Sequence, residues 1–288
     1  MRRYSAAVVV GMGKIALQCA EHLTKELMLK TTFIDTSDSD IPFSVKQCEK
    51  CDILYLHYPK AEAMEYIASI DDECLLLSVY NPWIIPERVL LKSNILAVNL
   101  HHAYLPYHPG RYAEAWAIYD QDEYAGITWH MISPSVDKGE IITQRKIKLS
   151  DTITSIRLLE MMNEAAFEEF RSFVPDLISG RITTQKQAAV SGIKFHMSKD
   201  RPNNGELDLS WDTEKISAFL RAYDYMFGSP FGTPFLFIDG KKYTWKKYKI
   251  SHSDTPLERD IRLCENELVI CDKNTQIILR GVTVSSEE

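Results

Sequence analysis

An apolar strand that runs through a glycine loop into an amphipathic helix opens the chain, and this order restricts the fold more than any other feature. Residues 6–10 form an apolar run that ends at Gly11, which predicts a buried strand. Apolar residues at helical spacing then predict a helix over about 14–29. This arrangement is typical of the first unit of a parallel α/β sheet, because a crossover helix returns the chain to the starting edge.

The alternation of strands and helices continues toward the middle of the chain. Further strands are predicted at 32–34, 51–57, 74–79 and 95–98, with a helix at about 60–69. This pattern predicts a Rossmann-like, mostly parallel sheet. Binding sites in such sheets lie at the carboxyl ends of the strands. Gly11, Tyr80 and Asn99 each lie at such an end, so we expect them to share one cleft.

The candidate catalytic residues begin at Asn99, directly after an apolar strand. Side chains two positions apart on an extended segment point the same way, so Asn99 and His101 are expected to face one pocket. An asparagine amide can donate to an oxyanion, and histidine accepts protons near neutral pH. The candidate carboxylate that orients the imidazole is Asp137, in a polar loop after the strand predicted at 127–131. These three residues form the predicted catalytic set.

The motifs around these residues resemble those of the folate-dependent formyltransferases. The shared pattern reads Asn99-x-His101, Leu105-Pro106, Gly126-Ile-Thr-x-His130 and Asp137-x-Gly139. The family includes methionyl-tRNA formyltransferase, glycinamide ribonucleotide transformylase and the sugar N-formyltransferases. The residues of the motifs are most similar to those of the sugar N-formyltransferases and of the formylation domains of nonribosomal peptide synthetases. The resemblance implies N10-formyltetrahydrofolate as the formyl donor, a primary amine as the acceptor, and no metal.

The resemblance also assigns binding residues on both sides of the reacting group. In the family, the loop after the fourth strand supplies backbone groups that bind the pterin-like ring. The residues assigned to the folate are Tyr80, Asn81, Pro82, Trp83, Ile84, Ser133 and Val136. The first glycine loop lies on the acceptor side in the family, and nearby aromatic residues are expected to shape that pocket. The residues assigned to the acceptor are Gly11, Met12, Gly13, Lys14, Tyr104, Tyr112 and Trp116.

The last third of the chain predicts a second domain. A turn-rich segment at 201–205 marks the boundary, so we expect a catalytic domain over 1–200 and a C-terminal domain over 207–288. Five short strands are predicted there, at 235–238, 242–250, 261–264, 268–271 and 276–284. The resemblance implies an OB-like tail at this place. The expected fold class is therefore α/β, a Rossmann-like catalytic domain with a small OB-like β domain.

Charge and composition restrict the classes of binding partner and the location that we expect for this protein. A formal net charge of −7 argues against broad nucleic-acid binding. No apolar run approaches the roughly 20 residues of a membrane helix, and the N-terminus is interpreted as a first strand, not a signal peptide. Six scattered cysteines without a signal suggest reduced thiols and a cytoplasmic location. The single pair Cys48-x-x-Cys51 is interpreted as incidental, since no second ligand pair accompanies it.

The identity of the amine stays open at this stage. A nucleotide-linked amino sugar is the first choice, because the acidic charge, the glycine loop and the aromatic helix after Pro109 suit a compact ligand that carries phosphate. The second choice is an aminoacyl group on a carrier protein, which the sequence Thr128-Trp-His-Met131 favours. Methionyl-tRNA is third, since acidic residues offset the lysines near the C-terminus.

Other classes of function remain as alternatives. Gly11-Met-Gly13, with Asp35 after the second strand, also fits a dinucleotide-binding fingerprint and an NAD-dependent oxidoreductase. The later motifs have no place in that enzyme. A hydrolase that removes the formyl group from the folate, and a folate-sensing protein without activity, are further alternatives. His130 is expected either to line the pocket or to be a satisfied structural residue.

Overall fold

A computed structural model describes residues 4–38 and 42–285, and a seven-stranded sheet is its main element. The strands are β1 (Ala6–Gly11), β2 (Lys30–Asp35), β3 (Leu54–Leu56), β4 (Cys74–Val79), β5 (Ile95–His101), β6 (Tyr124–Met131) and β7 (Ile141–Lys148). They lie in the order β3-β2-β1-β4-β5-β6-β7. The first five are parallel, and β6 is antiparallel to β5. The predicted Rossmann-like, mostly parallel sheet is confirmed.

Helices connect the parallel strands, as the alternating pattern predicts. They are α1 (Gly13–Lys25), α2 (Pro42–Lys50), α3 (Lys60–Ala68), α4 (Glu87–Leu90), α5 (Ala113–Tyr119), α6 (Ser155–Ser179) and α7 (Thr213–Ala222). The first helix ends earlier than expected, because the chain turns through Met28 at φ 53° before β2 begins. The long α6 runs past Pro175 without ending there.

The core lies against the central strands. Every residue of β4 is buried, which accounts for its continuous apolar run. Val8 and Val10 of β1 and Leu76 of β4 belong to one cluster with Met64 and Ile67 of α3. Fully burying a side chain of this size stabilises a fold by about 1.5–3 kcal/mol. The packed core therefore gives the carboxyl ends of β1, β4 and β5 a rigid base.

The C-terminal strands differ from the expected barrel. They are β8 (Leu236–Ile238), β9 (Lys241–Thr244), β10 (Lys247–Cys264), β11 (Glu267–Arg280) and β12 (Thr283–Val284). Within the described residues, β10 and β11 form a two-stranded antiparallel ribbon, and β12, β9 and β8 form a separate small sheet. The polar segment 251–260 was expected to separate two strands. It continues β10 instead, with register shifts after His252 and Leu257, because this segment contains no buried residue and needs no apolar alternation.

The contacts divide the chain into two compact units that are discontinuous in sequence. The first unit comprises Met1–Gly110, Gly126–Ile147 and Met161–Phe195. The second unit comprises Arg111–Ala125, Lys148–Glu160 and His196–Glu288. A single cut at 201–205 does not separate these units, and the division into functional domains at 1–200 and 207–288 stays a prediction. In the described ranges, no helix has the length and apolar character that crossing a bilayer requires.

Candidate active site

The carboxyl ends of three neighbouring strands meet at one level of the first unit. The register places Gly11 of β1 opposite Val79 of β4, and Ser78 of β4 opposite Asn99 of β5. The strand order changes direction between β1 and β4, which is where ligands bind in sheets of this kind. Tyr80 directly follows Val79. The three positions that the sequence assigned to strand ends thus lie side by side.

Asn99 is oriented by the histidine on the neighbouring strand. Asn99 pairs with His130 across β5 and β6, and its Nδ2 lies 3.1 Å from His130 Nε2. His130 Nδ1 lies 2.8 Å from the carbonyl of Met131, so Nδ1 carries the ring proton and Nε2 accepts from Asn99. Burial lowers the pKa of His130, which favours this neutral acceptor. One hydrogen of the Asn99 amide is left to donate to a ligand.

His101 lies on the same strand, two residues further along. The ring is buried, and Nε2 donates to the carbonyl of His108 at 3.1 Å. This bond assigns the proton of the neutral ring to Nε2 and leaves Nδ1 as the proton acceptor. Nδ1 lies 3.7 Å from Oδ1 of Asp137. A proton accepted at Nδ1 therefore produces an imidazolium next to a carboxylate.

Asp137 faces both imidazole rings. Its Oδ1 also lies 3.8 Å from His130 Nε2, and its Oδ2 accepts from the backbone N–H of Gly110 at 3.0 Å. The distances to the rings are longer than hydrogen bonds, so the carboxylate acts on them through its charge. The structure thus brings the three predicted catalytic residues and His130 together. Their catalytic roles remain predictions.

Two further residues of the shared motif act on the backbone. Thr128 Oγ1 donates to the carbonyl of Ala103 at 2.7 Å and accepts from the N–H of Leu105 at 3.1 Å. The loop that follows His101 is therefore attached to β6. Gly126 is required by close approach, since a Cβ there would lie 2.3 Å from the carbonyl oxygen of Arg145.

The loop assigned to the folate is folded on itself and partly apolar. Its residues are Tyr80, Asn81, Pro82, Trp83 and Ile84. The Asn81 side chain accepts from the N–H of Trp83 at 3.0 Å and donates to its carbonyl at 3.1 Å. Trp83 packs against the core cluster, whereas the Ile84 side chain is 64% exposed. A preformed loop with free apolar surface suits a flat heterocycle.

The other two residues assigned to the folate lie in the loop before Asp137. Ser133 Oγ donates to the carbonyl of Ser135 at 2.8 Å, so its hydroxyl proton is used within the loop. Val136 is exposed. Apolar surface at Val136 is compatible with ring packing, and the assignment of both residues stays a prediction.

The glycine loop assigned to the acceptor lies between β1 and α1. A Cβ at Gly11 would lie 1.8 Å from the carbonyl oxygen of Val79, so β1 and β4 approach too closely for any side chain here. Gly13 has φ +75°, and the N-cap residue Met12 makes no side-chain capping bond. The first N–H groups of α1 are therefore not capped by the Met12 side chain, and Lys14 is exposed beside them.

The aromatic residues assigned to the acceptor are divided between the two units. Tyr104 belongs to the first unit, where the ammonium of Lys146 lies 5.0 Å from its ring centre. Tyr112 and Trp116 belong to the second unit. Trp116 is buried and stacks on His196 at 3.9 Å between ring centroids, which is packing inside that unit. Their assignment to acceptor binding remains a prediction.

The carboxylate of Asp35, the residue that favoured an NAD-dependent enzyme, accepts its hydrogen bonds from other residues of the protein. Its Oδ1 accepts from the N–H of Ser37 at 2.9 Å and from its hydroxyl at 2.7 Å. Its Oδ2 accepts from the hydroxyl of Tyr55 at 3.1 Å, and the residue is 1% exposed. A carboxylate with both oxygens used internally is poorly suited to bind a ribose. This geometry argues against a dinucleotide site.

The cysteine pair is buried. Cys48 and Cys51 lie at and just beyond the C-terminus of α2, and both are free thiols. Burial, and then the neighbouring Cys51, raises the pKa of Cys48 to about 12. A thiol with a raised pKa is neither a good nucleophile nor a ready metal ligand.

One residue of the site was missed by the sequence analysis. Gln187 contacts the loop that carries Asp137, through hydrogen bonds to the carbonyls of Asp137 and Gly139. It lies in the irregular segment after α6, and a single glutamine there carries no local signal. Only the return of this segment to β7 places it at the site.

Comparison with known proteins agrees with the motifs. Residues 37–174 match the family model described as formyl transferase. GDP-perosamine N-formyltransferase of Brucella melitensis is 29% identical over 182 residues, which cover 63% of this chain and 67% of the relative. The bifunctional polymyxin resistance protein ArnA of Wigglesworthia glossinidia brevipalpis is 24% identical over 274 residues, which cover 93% of this chain and 41% of that protein.

Solved structures share the fold over almost the whole chain. An N-formyltransferase from Helicobacter canadensis superposes with a TM-score of 0.76 at 15% identity, covering 97% of this chain and 100% of that one. WlaRD, a sugar 3N-formyltransferase, gives a TM-score of 0.74 at 16% identity, covering 97% and 98%. Identities this low show the common fold alone. The matched family model and the Brucella relative, together with the motifs around Asn99, support a folate-dependent formyltransferase family for this chain.

Proposed function

We propose that this protein transfers a formyl group from N10-formyltetrahydrofolate to the amine of a nucleotide-linked amino sugar. The observation that carries this proposal is the cluster of Asn99, His101, His130 and Asp137 at the carboxyl edge of the sheet. The Brucella relative is named for GDP-perosamine. The Helicobacter canadensis structure holds folinic acid and dTDP-3-aminofucose, and the WlaRD structure holds dTDP and 5-N-formyl-THF.

The chain supplies the proton acceptor. N10-formyltetrahydrofolate supplies the formyl carbon, and the attacking amine must lose a proton as its nitrogen bonds to that carbon. His101 accepts this proton at Nδ1, the ring nitrogen that is not used by His108. The resulting imidazolium is stabilised by Asp137, 3.7 Å away. His101 then returns the proton to the departing folate nitrogen, as the bond between that nitrogen and the formyl carbon breaks.

The chain also supplies a donor for the oxygen of the transferred group. As the amine attacks, negative charge develops on the formyl oxygen. Asn99 donates its remaining amide hydrogen to this oxygen, and its bond to His130 keeps the amide from rotating. One such donor contributes roughly a 10²- to 10³-fold effect on turnover. Because both groups are held before the substrates arrive, little reorganisation is needed during the reaction.

Each of the two binding loops is proposed to hold one of the two substrates. The loop 80–84 is proposed to hold the pterin ring through its backbone and apolar side chains. The uncapped start of α1 at Gly13 is proposed to receive a phosphate of the nucleotide. A phosphate-bearing small molecule is thus the proposed partner. The six free thiols, of which Cys264 is exposed, support the cytoplasm as the proposed location.

A thermal-shift screen followed by an activity assay tests the proposal. Folinic acid is added first, and UDP-, GDP- and dTDP-linked amino sugars, an aminoacyl carrier protein and methionyl-tRNA are then added separately. A ligand that binds only the native state raises the unfolding midpoint. We expect a shift with folinic acid, a further shift with one amino-sugar nucleotide, and formylation of that sugar. Formylation of the carrier-bound amine or of the tRNA instead would replace the proposed acceptor, and no response to folinic acid would contradict the proposal as a whole.

A further inference from the structure

The loop that carries Asp137 is held by a side chain outside the predicted catalytic set. Gln187 Nε2 donates to the carbonyl of Asp137 at 2.7 Å and to the carbonyl of Gly139 at 2.9 Å. Both acceptors are main-chain oxygens, so the amide must present its nitrogen to the loop. Its Oε1 is buried and accepts no hydrogen bond from the part of the chain that the structure describes. The two donated bonds therefore fix this amide.

The segment that carries Gln187 is itself anchored close to the loop. The backbone of Gln185 pairs with Ile141, the first residue of β7, through hydrogen bonds of 2.7 and 2.9 Å in the two directions. Ile141 lies only two residues beyond Gly139. The strand that follows the Asp137 loop, β7, thus also sets the position of Gln187. The carbonyls of Asp137 and Gly139 are therefore bound by a segment whose own position is fixed by its pairing with Ile141.

The loop needs such support because Asp137 adopts an unfavourable backbone conformation. Its φ is +54°, in the left-handed region, which costs most non-glycine residues about 1–2 kcal/mol and which aspartate tolerates better than most of them. Such conformations persist when several contacts determine them together. Gly139 contributes close packing, since a Cβ there would lie 1.6 Å from the carbonyl oxygen of Met131. The N–H of Gly110 donates to the Asp137 carboxylate, and Gln187 donates to the backbone carbonyl of Asp137.

We propose that Gln187 is a positioning residue, whose amide holds the carbonyls of Asp137 and Gly139 and thereby directs the Asp137 carboxylate toward His101 and His130. Without the two bonds, the backbone can leave the left-handed region, and the carboxylate then moves away from the rings. The kinetic consequence rests on the proposed function. The geometric consequence does not, and the two are measured separately.

Three variants isolate the two donated bonds. Gln187→Met keeps the length of the side chain and removes both donors. Gln187→Glu keeps the shape and turns an acceptor toward the two carbonyls, which repels them. Gln185→Met is the matched control, because the Gln185 side chain is exposed and its backbone bonds to Ile141 do not depend on it.

Kinetics provide the first measurement. We expect Gln187→Met to lower kcat roughly 10- to 100-fold, since displacement of a reacting group by about 1 Å has an effect of this size. The KM values for folate and amine should stay near those of the wild type, because Gln187 is not assigned to either ligand. Gln187→Glu should lower kcat at least as far, and Gln185→Met should leave both constants unchanged. A wild-type kcat in Gln187→Met would overturn the proposal.

Nuclear magnetic resonance of the imidazoles provides a measurement that is independent of activity. The Asp137 carboxylate lies 3.7 Å from His101 and 3.8 Å from His130, so its displacement changes the ring nitrogen signals of both residues. We expect Gln187→Met to move these signals in the direction that Asp137→Asn moves them. A lower unfolding midpoint with unchanged imidazole signals would overturn the proposal and leave Gln187 a purely stabilising residue. Imidazole changes in an enzyme that formylates none of the tested amines would support the positioning and contradict the proposed function.

Discussion

At the scale of single residues, the site consists of polar groups that determine one another's protonation and orientation. His130 donates to a backbone carbonyl, which makes its other nitrogen an acceptor for Asn99. His101 donates to His108, which leaves its second nitrogen facing Asp137. Each ring therefore has one nitrogen bonded to a backbone carbonyl, and its second nitrogen faces another residue of the site. A change in any member is expected to act on turnover more than on folding.

Substitution of Asn99 tests the oxyanion donor. We expect Asn99→Ala to lower kcat roughly 10²- to 10³-fold, because one preorganised donor is lost from the transition state. Steady-state formylation assays measure the change, and the thermal midpoint reports on folding. Asn274→Ala is the control, since Asn274 is an exposed asparagine on β11. Wild-type turnover in Asn99→Ala would remove this residue from the mechanism.

Stability below neutral pH tests a buried histidine beside the site. Burial lowers the pKa of His102 to about 4, and its Nε2 donates to Oδ1 of Asn163 at 2.9 Å. The unfolded chain, with an ordinary histidine pKa of 6.5, binds the proton more tightly than the folded one. His102 therefore favours the folded state above pH 6.5, and this contribution is lost as the pH falls from 6.5 toward 4. The full loss is about 3 kcal/mol.

The corresponding variant is His102→Gln, which keeps a donor for Asn163 and does not titrate. Urea unfolding at several pH values gives the free energy of unfolding of each protein. We expect the wild type to lose stability more steeply than His102→Gln between pH 6.5 and 4. Equal slopes would mean that His102 does not carry this pH dependence.

At the scale of secondary-structure elements, backbone contacts bring the loops of the site together. The close approach of β1 and β4 at Gly11 sets the level of the first glycine loop. Thr128 on β6 attaches the segment after His101 through Ala103 and Leu105. Gly139 allows the Asp137 loop to lie against β6. The packing of elements thus accounts for Thr128 and Gly139 of the family motif.

An alanine at Gly11 tests this packing. Its Cβ would lie 1.8 Å from the carbonyl oxygen of Val79, so the two strands would have to separate. We expect Gly11→Ala to lower the free energy of unfolding by about 3 kcal/mol, the upper part of the range for overpacking. Chemical denaturation measures this value.

The control for this substitution is Gly192→Ala. Gly192 has φ +77°, and an added methyl group would have no atom within 4 Å, so only the backbone cost of about 1 kcal/mol is expected. An equal loss of stability in both variants would show that the approach of β1 to β4 is not the cause. In that case, the backbone conformation of each glycine would account for the loss of stability in its variant.

At the scale of the whole molecule, the chain passes between its two compact units several times. The segment with α5 interrupts the first unit in sequence and belongs to the second. Within the second unit, Tyr225 donates to Glu114 of α5 at 2.6 Å, and Trp116 stacks on His196. Arg221 of α7 donates to the carbonyl of Ile153 at 3.0 Å, just before α6. The second unit therefore needs segments from both sides of residue 200.

A truncation after residue 200 tests this dependence. The fragment 1–200 keeps α5 but lacks α7, against which α5 packs in the second unit. Buried side chains such as Trp116 and Ile118 would then lose cover, at about 1.5–3 kcal/mol each. We expect the fragment to lack a cooperative thermal transition and to bind a hydrophobic dye, as judged against the full chain. A sharp transition at the full-chain midpoint would show that 1–200 folds as an independent domain.

Sequence patterns that act over short distances predicted much of this molecule. The strands and helices of the parallel sheet follow from local periodicity, and the sheet order then places Gly11, Tyr80 and Asn99 together. The spacing of Asn99 and His101 predicted that both side chains point the same way from an extended segment, and β5 includes both residues because it continues to His101 instead of ending at residue 98. The motif pointed to the formyltransferase family, and the comparisons confirmed it.

Only the tertiary structure decided which distant groups complete these local units. The continuity of β10, the left-handed conformation of Asp137, the contact of Gln187 and the division into units all depend on residues far apart in sequence. Local propensity cannot specify them, because each is set by the hydrogen-bond partner or packing surface that the folded chain brings near. The sequence by itself therefore determined the sheet and the candidate reacting residues, and the tertiary structure decided how the loop with Asp137 is held against them.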